Sequence, residues 1–348
     1  MSIITNYNTY ENSILDVLIS KDNHTVENLD LLTAFYLGMS MADKAADIKS
    51  TIQTLFERKM GLKFIDRLTA ITSSTALSVD KKNEVLDPQV CPEPLKIISR
   101  VNQITGKTDA TAKIAPFADK LQDPEFHRDF LDYEAQAHNQ VVGGLIDTLT
   151  ETNKKIPNSI CTAQQQSKKN TLKNLYNGSN VGKTFVSVDL RQANWTALRY
   201  WDPSLPQWNE MLSSLLPEGP LKPMFLESKM FRQVTLGVAL KKHGLISRVE
   251  ATQVMLVKKL YGELNSGVGK PFSESNDELI FEWFWSRREV TPWFKPALND
   301  PRFKVTIQYM KEKTHDDCYE FEYEELGAKP HKYRLLRCYN PEKVESRL

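Results

Sequence analysis

Phe185-Val186-Ser187-Val188-Asp189-Leu190-Arg191-Gln192-Ala193-Asn194 is the stretch on which the reading of this chain turns. Its aromatic and β-branched start predicts a short buried strand. The strand ends on Asp189 and runs directly into a helix expected from Arg191 to Tyr200. A carboxylate at such a junction is held rigidly at a sheet edge, which suits a magnesium ligand. Aspartate also caps helices, so Asp189 by itself fits both roles.

Downstream of this strand, helices and strands alternate. All six tryptophans lie between Trp195 and Trp293. Ser228 to His243 and Arg248 to Leu264 have helical spacing, and Leu279 to Trp285 is strand-like. A short helix is expected between Ser286 and Asn299. Phe303 to Tyr309, Tyr319 to Tyr323 and Tyr333 to Tyr339 read as an antiparallel meander. Upstream the chain reads as helical. Thr25 caps a pattern through Leu29, Leu32, Phe35 and Tyr36, and a second runs from Asp43 to Arg67. Between Ser78 and Phe117 periodicity fades among Pro88, Pro92, Pro94 and Pro116, which predicts a connector or loose subdomain. Asp123-Pro124 then starts a helix that reaches Thr152, with Gly143-Gly144 as a weak point. The expected class is α+β: a mostly helical part over residues 1–180, and an antiparallel sheet with helices over residues 181–348.

Composition narrows the function classes. The 348 residues carry 45 Lys+Arg against 44 Asp+Glu, a net charge of +1. That balance excludes a uniformly basic nucleic-acid coat and an acidic solvating tail, though not a locally basic groove. A locally basic stretch is present: Ser228 to Lys259 holds Lys229, Arg232, Lys241, Lys242, Arg248, Lys258 and Lys259 against Glu250 alone. On a helix, Lys229, Arg232 and Gln233 share one face, and Phe231, Val234 and Val238 are placed on another. A basic helix face suits phosphate groups. No apolar window is long enough for a membrane span and the N-terminus lacks a secretory pattern, so an intracellular protein is expected, in cytoplasm or nucleus. The dispersed Cys91, Cys161, Cys318 and Cys338 are read as reduced thiols.

Two further segments bear on chemistry. Ser275-Asn276-Asp277-Glu278-Leu279-Ile280-Phe281-Glu282 predicts a polar turn feeding an apolar strand, with two carboxylates at the junction. Gly178-Ser179-Asn180-Val181-Gly182-Lys183-Thr184 looks like a phosphate-binding loop. It has three residues between its glycines instead of four, and it precedes a strand instead of opening a helix. It is read as a turn feeding Phe185.

Taken in order, strand-Asp189-helix, the basic helix with Arg232 and Leu236-Gly237, and the turn Asn276-Asp277-Glu278 resemble motifs A, B and C of family A polymerases. That superfamily contains DNA polymerase I and the phage-type single-subunit RNA polymerases. The resemblance covers about a third of the chain, from Thr184 to Tyr309. Leu236 stands where motif B carries an aromatic, Asn276 where motif C carries histidine, and Asn194 where the DNA enzymes carry a glutamate that excludes ribose. The distance from motif B to motif C is shorter than the family norm.

The resemblance implies a palm-like sheet and a template-directed nucleotidyltransferase, a compact DNA or RNA polymerase. It implies two Mg²⁺ (or Mn²⁺) on Asp189 and Asp277, with Glu278 as an outer ligand or orienting group. Lys229 and Arg232 would bind the triphosphate, and Asn194 would sit at the sugar. The implied partners are a nucleic-acid template and primer and nucleoside triphosphates, with room for partner subunits and none for a membrane. A second candidate for motif C is Thr314-His315-Asp316-Asp317. The competing functional reading is a catalytically degenerate, polymerase-like subunit that binds nucleic acid or serves assembly. A third is an interaction protein in which the motifs are coincidental.

Overall fold

The computed structural model describes residues 42–73, 75–91, 93–105, 108–160, 174–264, 268–284, 290–315, 318–327 and 330–338. The helix expected after Thr25 lies outside the described residues.

Helix α1 (Ala42–Ser73) and helix α5 (Pro124–Lys155) form the long frame of the first half. The start of α5 follows its sequence. The Asp123 carboxylate accepts a hydrogen bond from Glu125 N at 2.9 Å, and Pro124 takes the first helical position. Phe64 of α1 meets Phe126 and Phe130 of α5 edge-on, with centroids 5.7 and 5.1 Å away, and stacks on His127 at 4.3 Å. Beside this aromatic knot Arg67 forks onto Glu134, Nε to Oε1 at 2.9 Å and Nη2 to Oε1 at 2.5 Å. This ties α1 to α5 through a planar, charge-assisted pair.

The stretch from Ser78 to Phe117 is not the loose connector that its prolines predict. It folds as α2 (Val79–Leu86), α3 (Pro94–Thr105), α4 (Thr108–Ile114) and a 3₁₀ turn (Ala115–Lys120). The prolines punctuate instead of breaking. Pro94 opens α3, Pro116 sits in the first turn of the 3₁₀ segment, and Pro88 follows the end of α2. Val85, Ile98, Val101 and Ile114 from these elements are fully or almost fully buried.

After β1 (Thr184–Leu190) come α6 (Ala193–Trp201), α7 (Trp208–Leu215), α8 (Lys222–Glu227), α9 (Lys229–Lys242) and α10 (Ile246–Glu263). One apolar core joins them to the first half: Phe64, Phe130 and Leu149 pack in the same cluster as Trp195, Trp208, Phe225, Phe231, Leu236 and Val249. Trp195, read as a candidate base-stacking side chain or a core residue, is core. It is 1 % exposed, meets Trp208 edge-on at 5.1 Å, and donates from Nε1 to Pro206 O.

The sheet is six-stranded and antiparallel at every pairing, in the order β2-β3-β1-β4-β5-β6. Its remaining strands are β2 (Ser273–Glu274), β3 (Glu278–Trp283), β4 (Phe303–His315), β5 (Cys318–Leu326) and β6 (His331–Cys338). Two short helices, α11 (Val290–Trp293) and α12 (Lys295–Asn299), bridge β3 to β4. The strand read first from the sequence therefore lies inside the sheet, between β3 and β4. Its alternation splits the two faces. Val186, Val188 and Leu190 join Leu279, Phe281, Trp283, Val305 and Leu256 in a core beneath α10 and α12. Phe185 instead joins Ile280, Met310, Phe321 and Leu335 on the opposite face. Asp189 is on that second face, four residues from Phe185.

Cys318 corrects the reading of four reduced thiols: it is disulfide-bonded, and the β5–β6 register sets it opposite Cys338. Cross-strand pairing brings together residues that sequence spacing alone leaves unrelated. Cys91 is free and buried. No helix among the described residues is long and apolar enough to cross a membrane.

The two helical glycines make contrasting demands. A Cβ on Gly144 would lie 2.3 Å from Leu215 Cδ2, where α7 crosses α5, whereas a Cβ on Gly143 meets nothing within 4 Å. Gly143→Ala is expected to stabilise the protein by about 0.5–1 kcal/mol through helix propensity. Gly144→Ala is expected to fall at least about 1 kcal/mol below it, because the packed Leu215 side chain must move. Urea denaturation of the two variants checks this, and equal midpoints would refute it.

Candidate active site

The site is built where β1 ends. In the β1–β3 ladder Asp189 stands opposite Glu278, and in the β1–β4 ladder opposite Lys304. Leu190 N donates to Asp277 O at 2.8 Å, which makes Leu190/Asp277 a hydrogen-bonded position. The neighbouring pair Asp189/Glu278 is then the narrow, non-hydrogen-bonded kind, with Cα atoms about 4.5 Å apart and side chains closest. Two carboxylates face each other where the ladder brings side chains nearest.

Serines organise the turn. Ser275 Oγ donates to Asp277 Oδ1 at 2.9 Å and accepts from Glu278 N at 3.1 Å. Ser187, two residues before Asp189 and therefore on the same face, donates from Oγ to Glu278 Oε1 at 2.5 Å. The far side of β1 is pinned through Arg191. Its N donates to Arg302 O at 2.8 Å, its Nε to Phe303 O at 3.2 Å, and its Nη2 to Glu325 Oε1 at 2.8 Å. The chain then turns through Gln192, the only non-glycine residue with positive φ among the described residues, at φ 48 and ψ 50. That left-handed step is worth roughly 1 kcal/mol of strain and lets α6 start immediately after the strand.

Electrostatics follow from this crowding. Burial, then the charges of Glu278 and Asp277, push the Asp189 carboxyl up to about 7, against the pull of Lys229 and Lys304. Burial and the charge of Asp277 also raise Glu278, opposed by the Ser187 hydrogen bond, then by Arg337 and Lys229. Lys229 is the first residue of α9, after Ser228 caps that helix by accepting Phe231 N at 3.0 Å. The start of the basic helix therefore reaches both carboxylates. Lys304 is steadied by Glu325 at 2.9 Å and by the Tyr333 hydroxyl at 3.5 Å.

Asp189, Asp277 and Glu278 thus stand at one end of the sheet, within electrostatic range of one another and of Lys229. Arg232 lies one turn further along α9, half-buried, where desolvation lowers its pKa, and no ion pair engages it among the described residues. Asn194 faces α10: its Oδ1 accepts from Gln253 Nε2 at 2.7 Å. Val234 and Val238 do not share the burial of Phe231. They are 41 % and 42 % exposed, while Phe231, Thr235, Leu236 and Ala239 form the buried face. The 3.6-residue period puts 231, 235 and 239 in one row. Asp316 and Asp317 lie outside the described residues. From Lys304, opposite Asp189, β4 runs to His315, roughly 35 Å at about 3.3 Å per residue, so that hairpin is at the other end of the sheet. The glycine-rich segment is a turn, with 3₁₀ residues Gly178–Asn180 leading into β1.

Sequence reasoning missed Ser187, Arg199, Arg302, Lys304 and Glu325. Period-two alternation back from Asp189 would have found Ser187. The others come from strand register and from α6 folding back beside β4, which no local pattern announces.

The donor set is three carboxylates, hard oxygen ligands suited to Mg²⁺ or Mn²⁺. Among the described residues no three His, Cys, Asp or Glu side chains form a ready-made cage. Mg²⁺ ordinarily binds one or two carboxylates and completes its shell with water and substrate phosphate. Asp189 and Asp277 fit that mode, and the raised Asp189 carboxyl marks a place where a cation would relieve repulsion.

A carboxyl held near 7 in the fold and near 4 when unfolded binds a proton in the native state first, so its contribution to stability falls as pH rises from about 4 through 7. Asp189→Asn is therefore expected to raise the melting temperature at pH 8 by several degrees and leave it nearly unchanged at pH 4. Thermal melts across that range check this; a variant less stable than wild type at pH 8 would refute it.

Comparison of the chain with protein-family models, curated proteins and solved structures gives no match.

Proposed function

We propose that the chain is a template-directed nucleotidyltransferase, using carboxylate-held divalent metal to extend a nucleic-acid 3′-end. One observation carries the reading. An aspartate at the end of the central strand faces a two-carboxylate turn, and the lysine that opens a basic helix acts on both. This is the order of motifs A, B and C that the sequence resembles.

In this reading Asp189 and Asp277 hold Mg²⁺ or Mn²⁺, which supplies charge neutralisation and a lowered pKa for the attacking hydroxyl. The 3′-oxygen attacks the α-phosphorus, the α–β phosphoanhydride bond breaks, and pyrophosphate departs. Lys229 offsets the carboxylate charge before substrate enters. Arg232, half-buried and free of ion pairs among the described residues, offers its full charge to phosphate as negative charge develops. Glu278, engaged by Ser187, orients the turn. Asn194 gives no bulky acidic gate against a 2′-hydroxyl, so both sugars are substrates to be tried.

The second reading, a nucleic-acid-binding subunit without catalysis, draws on the absence of a three-ligand cage among the described residues. Primer extension with Mg²⁺ or Mn²⁺, using NTPs and dNTPs in parallel, separates the two. Incorporation that drops at least about a hundredfold in Asp189→Asn and in Asp277→Asn, and persists in Asp316→Asn, supports the enzyme. Salt-sensitive binding without incorporation by the wild type would favour the binding subunit.

A further inference from the structure

Beside Asp189, on the side away from β3, the chain forms a cleft of about 620 Å³. It is walled by α6, the loop after it, and the residues around the start of β4, and Asp189 is part of its lining. That size is ordinary for a small-molecule site.

Its lining is strongly biased. Arg191, Arg199, Arg302 and Lys304 bring four positive charges against the single carboxylate of Asp189. Two acids outside the lining answer part of this. Glu325 pairs with Arg191 and Lys304, and Asp300 pairs with Arg302 at 2.6 Å. Arg199 has no carboxylate partner among the described residues. Its Nε donates to Leu205 O at 3.1 Å, which fixes the side chain and leaves its other guanidinium donors for a ligand. Next to it Tyr200 is 38 % exposed, its ring braced edge-on by Trp201 at 5.0 Å. The cleft thus pairs an anchored, uncompensated guanidinium with a braced aromatic ring, beside the candidate metal-binding carboxylate.

We propose that this cleft is a binding site for a nucleoside triphosphate, with Arg199 taking its phosphates and Tyr200 stacking on its base. The inference rests on the nucleotidyltransferase reading for its ligand class and deepens it by naming where the nucleotide docks. A planar guanidinium grips phosphate in two-pronged fashion. An aromatic ring stacks on any base and so accommodates all four nucleotides. Arg199 and Tyr200 are additional to Lys229 and Arg232, which lie on α9 and do not line the cleft.

The test is direct binding, read without catalysis, by calorimetric titration of the full chain with MgATP, magnesium tripolyphosphate and adenosine. The variants are Arg199→Gln, which keeps a donor toward Leu205 O, and Tyr200→Ala, at an exposed ring. Lys96→Ala, at a residue with its side chain 75 % exposed and outside this cleft, is the control for a lost surface charge. Arg199→Gln is expected to weaken MgATP and tripolyphosphate about tenfold or more. Tyr200→Ala is expected to weaken MgATP about fivefold or more and leave tripolyphosphate unchanged. Lys96→Ala is expected to match wild type.

MgATP binding that is undetectable, or equally strong in Arg199→Gln and Tyr200→Ala, would overturn the proposal. So would an Arg199-dependent affinity for a single-stranded oligonucleotide with none for MgATP, which would assign the cleft to the nucleic-acid backbone. Cleft-dependent MgATP binding by a protein that fails primer extension would leave this site standing while the polymerase reading fails, so the two failures are distinguishable.

Discussion

Two carboxylates held opposite each other in the narrow position of an antiparallel ladder repel, and at the end of β1 that repulsion is built into the backbone. The Asp189/Glu278 register follows from the hydrogen bond between Leu190 N and Asp277 O, so the side chains cannot separate without opening the ladder. Like charges directly across a ladder are destabilising by a few tenths to about 1 kcal/mol even at exposed positions, and these are half-buried. The surroundings are arranged to tolerate the pair. Ser187 donates to Glu278, Ser275 donates to Asp277, and Lys229 and Lys304 approach from α9 and β4. What is left over raises Asp189, and a proton or a cation relieves the remainder. Carboxylates perturbed by burial and like charge are concentrated at functional sites, which is why the proposed site is centred here.

Placing Lys229 at the carboxylates depends on the helical layer. Lys229 is itself exposed; its position is set by the buried face of the same helix. Phe231 meets Phe225 edge-on at 5.1 Å, Phe225 lies against Phe130 and Tyr133, and those belong to α5, which Arg67 ties to α1. A chain of packed aromatics and one charge-assisted fork therefore runs from the first half of the sequence to the site. The same core spans both sides of residue 180, so the helices before β1 act as the rigid backing of α9. Positioning to within half an ångström is what catalytic groups require, and a shared, close-packed core supplies it.

Much of this was legible in the sequence, for identifiable reasons. The Phe185–Asp189 strand, the helix after it, the capped start at Asp123-Pro124, the basic helix and the C-terminal meander all rest on local rules, namely alternation, caps and β-branched runs, and all stand in the structure. The region from Ser78 to Phe117 was misread because prolines that open helices look, one residue at a time, like prolines that break them. Val234 and Val238 share a helical face with Phe231 by their i+3 and i+7 spacing, yet the helix turns the Thr235, Leu236 and Ala239 side of that face inward and leaves both valines exposed. The cleft was invisible, since Arg199 on α6 and Arg302 before β4 are joined only by the fold. So was the pairing that sets Cys318 opposite Cys338, which exists only once β5 and β6 are in register.

Lys304, opposite Asp189 in the ladder, and Arg232, one turn along α9 from Lys229, differ in kind. Lys304 is tied to Glu325 and to the Tyr333 hydroxyl, so its charge is partly spoken for and its position fixed. Arg232 is half-buried with no ion pair among the described residues, desolvated enough to lower its pKa yet still a guanidinium that stays charged. A compensated lysine steadies the resting carboxylates. An uncompensated, partly desolvated arginine interacts more strongly with an incoming anion than it would in water, because little screening intervenes. Lys304 thus steadies the carboxylates, whereas Arg232 and Arg199 carry no carboxylate partner among the described residues. Under the proposed function, that division would let one carboxylate cluster tolerate its own charge and still attract phosphate.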